Sequence, residues 1–125
     1  MRLLLDTHVL LWLLAGNTRI KRISPRIQSD DNEVYFSVAS LWEIAIKSGL
    51  GKLEYEVEQV REAAQASGYI ELAVLGAHVL ALASLEHHHR DPFDRLLVAQ
   101  AVAEPMVLLT DDATVAKYGS HIELI

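Results

Sequence analysis

The run MRLLLDTHVLLWLLAG is apolar at nearly every position, yet it carries Asp6 at its centre. A carboxylate inside a core segment is costly unless the chain changes structure there. Arg2 to Leu5 reads as a short strand buried on both faces, the habit of a parallel sheet. Thr7 to Ala15 reads as a helix stopped by Gly16-Asn17. Asp6 or Thr7 then serves as an N-cap, which favours strand-then-helix over one helix from Leu3 to Ala15. Arg2 and the leucines also mimic the start of a secretory leader. However, Asp6 and His8 fall inside the apolar stretch, which is far shorter than the roughly 20 residues a bilayer span needs. The run is expected to belong to the fold of a soluble, cytoplasmic protein with no membrane partner.

The remaining segments alternate in type. Glu33 to Ser37 is short and β-rich, Tyr69 to Val74 is a third strand, Met106 to Leu109 a fourth, and His121 to Leu124 a small last one. Between them, helices are predicted from Ser24-Pro25, over Val38 to Ser48, Val57 to Ala66 and Ala77 to Leu85 (this one buried), from Asp91-Pro92 to about Glu104, and over Ala113 to Tyr118. No repeat, linker or low-complexity tract interrupts them. The expectation is an α/β fold, residues 1–125 forming a single domain around a parallel sheet covered on both faces. A chain of 125 residues, 51% hydrophobic, suits one core. Function in such sheets gathers at the carboxyl ends of the strands.

Acids stand at those ends. Asp6 follows the first strand, Asp111 and Asp112 follow the fourth, Asp91 and Asp94 open the helix before it, and Glu43 lies in the apolar helix VASLWEIAI. Each also fits a plain structural role. Asp6, Asp91, Asp111 and Asp112 suit helix caps. Ser40 and Glu43 match a capping box, and Asp94 has the spacing to reach back to Asp91 in another. Glu43 is expected at the edge of its helix's buried face. Together they suggest more, because three or four carboxylates at one end of a sheet repel, and one must take a proton unless a cation intervenes. The chain has no cysteine, so thiol catalysis, disulfides and cysteine zinc sites are excluded. Oxygen ligands alone suit Mg²⁺ or Mn²⁺, the setting of metal-assisted phosphodiester hydrolysis. The net charge of −6 argues against a protein that coats nucleic acid through phosphate contacts, and setting aside four site acids leaves −2.

The blocks LLLDTHVLLWLL, SVASLWEIAIKSGLGKL, HRDPFDRLLVAQA and LLTDDATVAKYG resemble, in order, the PIN-domain ribonucleases, and in particular the VapC toxins of bacterial toxin–antitoxin pairs. The resemblance implies a three-layer α/β/α fold with strand order 3-2-1-4-5. It also implies a metal-dependent endoribonuclease that leaves a 5′-phosphate and a 3′-hydroxyl. The family's motif acids fall on Asp6, Glu43 and Asp94. The T-x-D motif, here Thr110-Asp111-Asp112, puts the fourth on Asp112, with Asp111 as the alternative. These acids would bind the metal and carry catalysis on an RNA substrate. Asp91 would cap beside the site, Thr7 would support a carboxylate or a bound water, and Arg95 would steer a phosphate or an antitoxin carboxylate. Homodimerisation and inhibition by a cognate VapB-like antitoxin are implied as well.

Other features read more plainly. EHHHRD is expected as a solvated loop, since three consecutive histidines cannot all face one ion, with His88 or His89 left free to touch substrate. Arg19, Lys21, Arg22 and Arg26 in TRIKRISPR read as a solvated helix face. Trp12 and Trp42 read as core or dimer contacts, and the leucines around Trp12 exceed what one helix face buries. Two rival classes are a phosphorelay receiver, which this chain's acid and lysine placement fits poorly, and a non-catalytic binding module whose acids are only caps.

Overall fold

The computed structural model describes residues 1–125. Strand β1 (Arg2–Leu5) runs into helix α1 (Thr7–Ala15), with the break at Asp6. Gly16 closes α1 at φ 65°, a left-handed conformation that glycine adopts without a Cβ penalty. A short 3₁₀ helix, Thr18–Ile23, leads into α2 (Ser24–Gln28). Then follow β2 (Glu33–Ser37), α3 (Val38–Gly49), α4 (Val57–Ala66), β3 (Ile70–Leu72), α5 (Gly76–Ala83), α6 (Pro92–Ala103), β4 (Val107–Thr110), α7 (Ala113–Ala116) and β5 (Ile122–Leu124). No helix is long and apolar enough to cross a membrane.

The five strands are all parallel, in the order β3-β2-β1-β4-β5. This is the order that the family resemblance implied. A receiver domain is built on the order 2-1-3-4-5, so the topology separates the two. The strands' period of two divides the core between two layers. Leu3, Leu5, Val34, Phe36 and Leu109 face α1, α4 and the 3₁₀ segment, joined by Val9, Leu10, Ile20, Ile44, Val60 and Ala64. Leu4 and Leu108 face the other way, against Leu97, Val98 and Ala101 of α6 and Val115 of α7. The first strand is apolar on both faces because both are covered.

Several local expectations need correction. Ser37, not Ser40, caps α3, its side chain accepting the Ala39 N–H, so Ser40 and Glu43 lie inside the helix and form no capping box. Helix α5 was expected to be buried, but only His78 is; Leu75 before it and Val79 and Leu80 on it are exposed, since α5 covers α6 rather than the sheet. A polar chain ties it down. His78 Nδ1 accepts the Leu75 N–H at 2.9 Å, its Nε2 meets Glu104, and Gln100 links it to Ser37. The leucines of α1 find partners within the chain, Leu10 and Leu11 buried and Leu13 and Leu14 packed against the same cluster. Arg26 pairs with Glu123, while Arg19, Lys21 and Arg22 are exposed around the buried Ile20 and Ile23.

The layer assignment has a measurable consequence. Leu97 is fully buried between α6 and the sheet, so Leu97→Ala is expected to lower unfolding free energy by about 2–5 kcal/mol in denaturant titration. Leu80 is 75% exposed, and Leu80→Ala should move it by no more than about 0.5 kcal/mol.

Candidate metal centre

Register brings the acids together. Leu5 pairs with Leu109 on one side and Phe36 on the other, so Asp6, one residue on, stands at the carboxyl edge beside Thr110 and Ser37. The backbone confirms the neighbourhood, since the Asp6 N–H donates to Leu109 O at 3.1 Å. Asp6 is a helix cap, Oδ1 accepting the Val9 N–H at 2.8 Å, and its Oδ2 also accepts from the Thr110 hydroxyl. The carboxylate is 4% exposed. Burial pushes its pKa up, against the Thr110 and Val9 hydrogen bonds that hold it down.

Glu43 is buried, at 3% exposure, deeper than the edge position its helical neighbours suggested. It has two clamps. Thr7 Oγ1 donates to Glu43 Oε1 at 2.7 Å and shares a hydrogen bond with Ser40 Oγ at 2.9 Å, and Lys47, one turn on, pairs with Oε2. The hydrogen bond to Glu43 raises the Lys47 pKa, with burial working against it. Thr7 thus supports a carboxylate, as expected.

Asp91 caps α6, Oδ1 accepting the N–H groups of Phe93 at 2.8 Å and Asp94 at 3.1 Å. The reciprocal half of a capping box does not form, because His89 Nδ1 takes the Asp91 N–H at 2.9 Å. Asp94 is therefore released from a capping role and faces the site. Its pKa is raised to about 7, by burial first, then by the charges of Asp91, Asp6 and Glu43, with His89 opposing.

Asp112 caps α7, Oδ1 accepting the Thr114 N–H at 2.8 Å. Its Oδ2 lies 3.1 Å from His89 Nε2. Burial pushes its pKa up, but hydrogen bonds from Thr114, His89 and Val115 outweigh it and the net shift is downward. Asp111 is exposed and lines a different recess with Trp12, Arg19 and Arg22.

One atom from each of His89, Asp94 and Asp112 lies within 4.8 Å of the others. Asp6 and Glu43 are outside that group, held by Thr110 and by Thr7 and Lys47, yet near enough for both charges to act on Asp94. Of the sequence candidates, then, Asp94 and Asp112 come within 4.8 Å of each other at His89, Asp6 and Glu43 lie close enough for their charges to act on Asp94, and Asp111 lines another recess. From sequence, His89 belongs to a solvated loop. It is instead half-buried at the centre of the site, and its Nδ1 is occupied, so in the neutral ring Nε2 carries the proton and donates. Its position two residues before an N-cap aspartate was the available signal. Trp42 is exposed, its ring meeting Phe93 edge-on at 4.9 Å, and Trp12 is half-buried under Arg19.

The model of the PIN domain matches residues 3–120. The chain belongs to the PIN-domain family. Among solved structures, this PIN domain is similar to a chain of VapBC2 from Rickettsia felis, solved bound to a DNA fragment from their promoter. The TM-score is 0.73 at 16% identity, covering 100% of this chain and 98% of that one. It is also similar to a chain of VapBC-1 from nontypeable Haemophilus influenzae, with a TM-score of 0.67 at 19% identity over 94% and 92% of the two chains. No curated protein matches the sequence.

The donor set fits a hard divalent cation. It is oxygen-rich, and Asp94 is raised by burial first and then by the charges of Asp91, Asp6 and Glu43, a conflict that a cation would relieve. Without metal, the sign of the pH effect follows. Asp94 holds its proton up to about 7 in the folded chain against 3.8 unfolded, so its contribution to stability is full below 3.8 and is lost as pH rises through about 7. Asp6 acts in the same sense. Asp112, lowered, acts oppositely, its contribution being lost as pH falls through its folded value. In EDTA, Tm is expected to decline from about pH 4 to about pH 7 and to level off above it, and Asp94→Asn should flatten that decline. A scanning-fluorimetry profile that Asp94→Asn leaves unchanged would contradict the assignment.

Proposed function

We propose that this chain is a divalent-metal-dependent endoribonuclease of the VapC toxin type, acting as a single domain over residues 1–125. The observation that carries this reading is the gathering of Asp94 and Asp112 at one sheet edge, with Asp6 and Glu43 behind them. Helix caps alone do not require that acids from four segments share one field. Asp94, Asp112, Asp6 and Glu43 would hold Mg²⁺ or Mn²⁺. When bound, such an ion acts as a Lewis acid on the phosphodiester and lowers the pKa of a water to the neutral range.

The chain's own residues do the rest. Thr110 and the Val9 N–H hold Asp6 to one orientation, and Thr7 with Lys47 does the same for Glu43. Locked ligands remove the reorganisation that a mobile carboxylate would need. His89 donates to Asp112 and lies 3.5 Å from Asp94, so it bridges the two carboxylates and orients both. Lys47 offsets part of the acid charge near the incoming phosphate. An RNA substrate is favoured by the PIN-domain membership, and selection of its sequence falls to surrounding surfaces.

Partners follow from the structural likeness. The similar chains belong to VapBC complexes, which supports a VapB-like antitoxin for this chain. The exposed apolar residues Val79 and Leu80 of α5, with Leu75 just before it, support a homodimer. A cytoplasmic location accords with both.

Asp94→Ala and Asp6→Ala are expected to lower cleavage of RNA by on the order of 10³-fold or more, as removal of several kcal/mol of metal-dependent stabilisation implies. They should also abolish the thermal shift that Mn²⁺ induces in the wild type. The test is end-mapping of RNA after incubation with purified protein, and cleavage at the wild-type rate by Asp94→Ala would overturn the reading.

A further inference from the structure

The carboxylates account for one side of His89. On the other lies an open recess of about 510 Å³ lined only by His87, His88, His89, Arg90 and Arg95. No acid lines it, although the chain has 17 acidic residues against 11 lysines and arginines. Neither Arg90 nor Arg95 has a carboxylate partner. Arg95 Nη2 reaches only the Leu85 carbonyl, at 3.5 Å, and its Nε is buried with no hydrogen-bond partner. The Arg95 guanidinium thus has no anion within the protein to answer its charge, and an anion entering the recess that Arg95 lines would supply one.

The recess is also rigidly built. Tyr118 Oη accepts the N–H groups of His88 and His89 at 3.2 and 3.1 Å, and its ring meets His88 edge-on. His89 is pinned by Asp91 and Asp112, and Arg95 sits on the second turn of α6. Of the lining side chains, His88 is engaged by Glu86 at 2.8 Å and His89 by Asp112 and Asp94, which leaves Arg90 and Arg95 as the charges with no carboxylate partner.

We propose that this recess is a phosphate subsite, in which Arg90 and Arg95 bind a backbone phosphodiester of single-stranded RNA flanking the one presented to the carboxylates. The proposal rests on the ribonuclease reading and adds to it where the strand lies. His89 belongs to both places, so a strand crossing it sets one phosphate at the acids and its neighbour at the arginines. The two stations have opposite needs. The acids repel a bare phosphate, and fixed positive charge next door holds the strand against that repulsion.

The test is binding without catalysis. A fluorescein-labelled single-stranded RNA decamer is titrated by anisotropy in EDTA, over a salt series, with wild type, Arg90→Gln, and the Arg90→Gln/Arg95→Gln double variant. Arg90 is exposed, so the single variant keeps its fold even if the double does not. The double variant is expected to bind about tenfold more weakly, with the slope of log K against log salt shallower by about 0.7 for the lost phosphate contact. The single variant should show part of both effects. In a second arm, inorganic phosphate is added while the ring protons of His87 and His88 are followed by NMR. Shifts in that arm alone, with RNA affinity unchanged by the arginine substitutions, would make this a free-phosphate site and overturn the RNA assignment. Equal affinity and slope also overturn it, including the case where the variants instead lose binding to an Asp/Glu-rich peptide. The two readings fail differently. A protein that binds RNA through Arg90 but cuts none defeats the nuclease, whereas one that cuts RNA with no dependence on Arg90 defeats the subsite.

Discussion

Repulsion among carboxylates organises this molecule's working edge. The pKa of Asp94 is raised to about 7 by burial first, and then by the charges of Asp91, Asp6 and Glu43, which all act on it. Everything around it restrains those charges without cancelling them. Thr110 and the start of α1 fix Asp6, Thr7 and Lys47 fix Glu43, and His89 spans Asp94 and Asp112. A group of acids with fully matched cations would have no use for another one. This group has partial compensation, and a hard dication would complete it.

The sheet makes that arrangement cheap to hold. Parallel strands deliver their carboxyl ends to one side, and one-residue steps in register set Asp6 beside Thr110 and Ser37. The helices that follow begin at that edge, so their caps and their site acids share the same few residues. Asp6 and Asp112 each use one oxygen to cap a helix and keep the other for the site. The competing explanations, cap or ligand, are therefore not exclusive here. One carboxylate has two oxygens, and the fold uses both.

The loop before α6 links the two halves of the surface. His89 takes the N–H that a capping box would have given to Asp94, and that substitution turns Asp94 toward the acids. The same loop carries Arg90 and leads to Arg95, whose unpartnered Nε faces no carboxylate. Acid crowding and free positive charge are thus set side by side in a chain of net charge −6. The pairing suits a polyanion that must be drawn in by one patch and presented to the other.

Local sequence by itself determined much of this. The run of leucines ending at Asp6, the β-rich EVYFS and the Asp-Pro start of α6 specified strands, helices and caps, because steric preference and capping chemistry act over a few residues. The four motif blocks pointed to the sheet order and to Asp6, Glu43, Asp94 and Asp112. Tertiary structure alone decided the rest. It buried Glu43, since helix periodicity cannot say how closely Thr7 approaches from another segment. It exposed α5, since an apolar helix reads the same whether it covers a sheet or only a neighbouring helix. It chose Asp112 over Asp111 as the neighbour of Asp94, and it brought His89 into the site, because contacts between residues far apart in the chain depend on where whole elements pack and not on the order of letters.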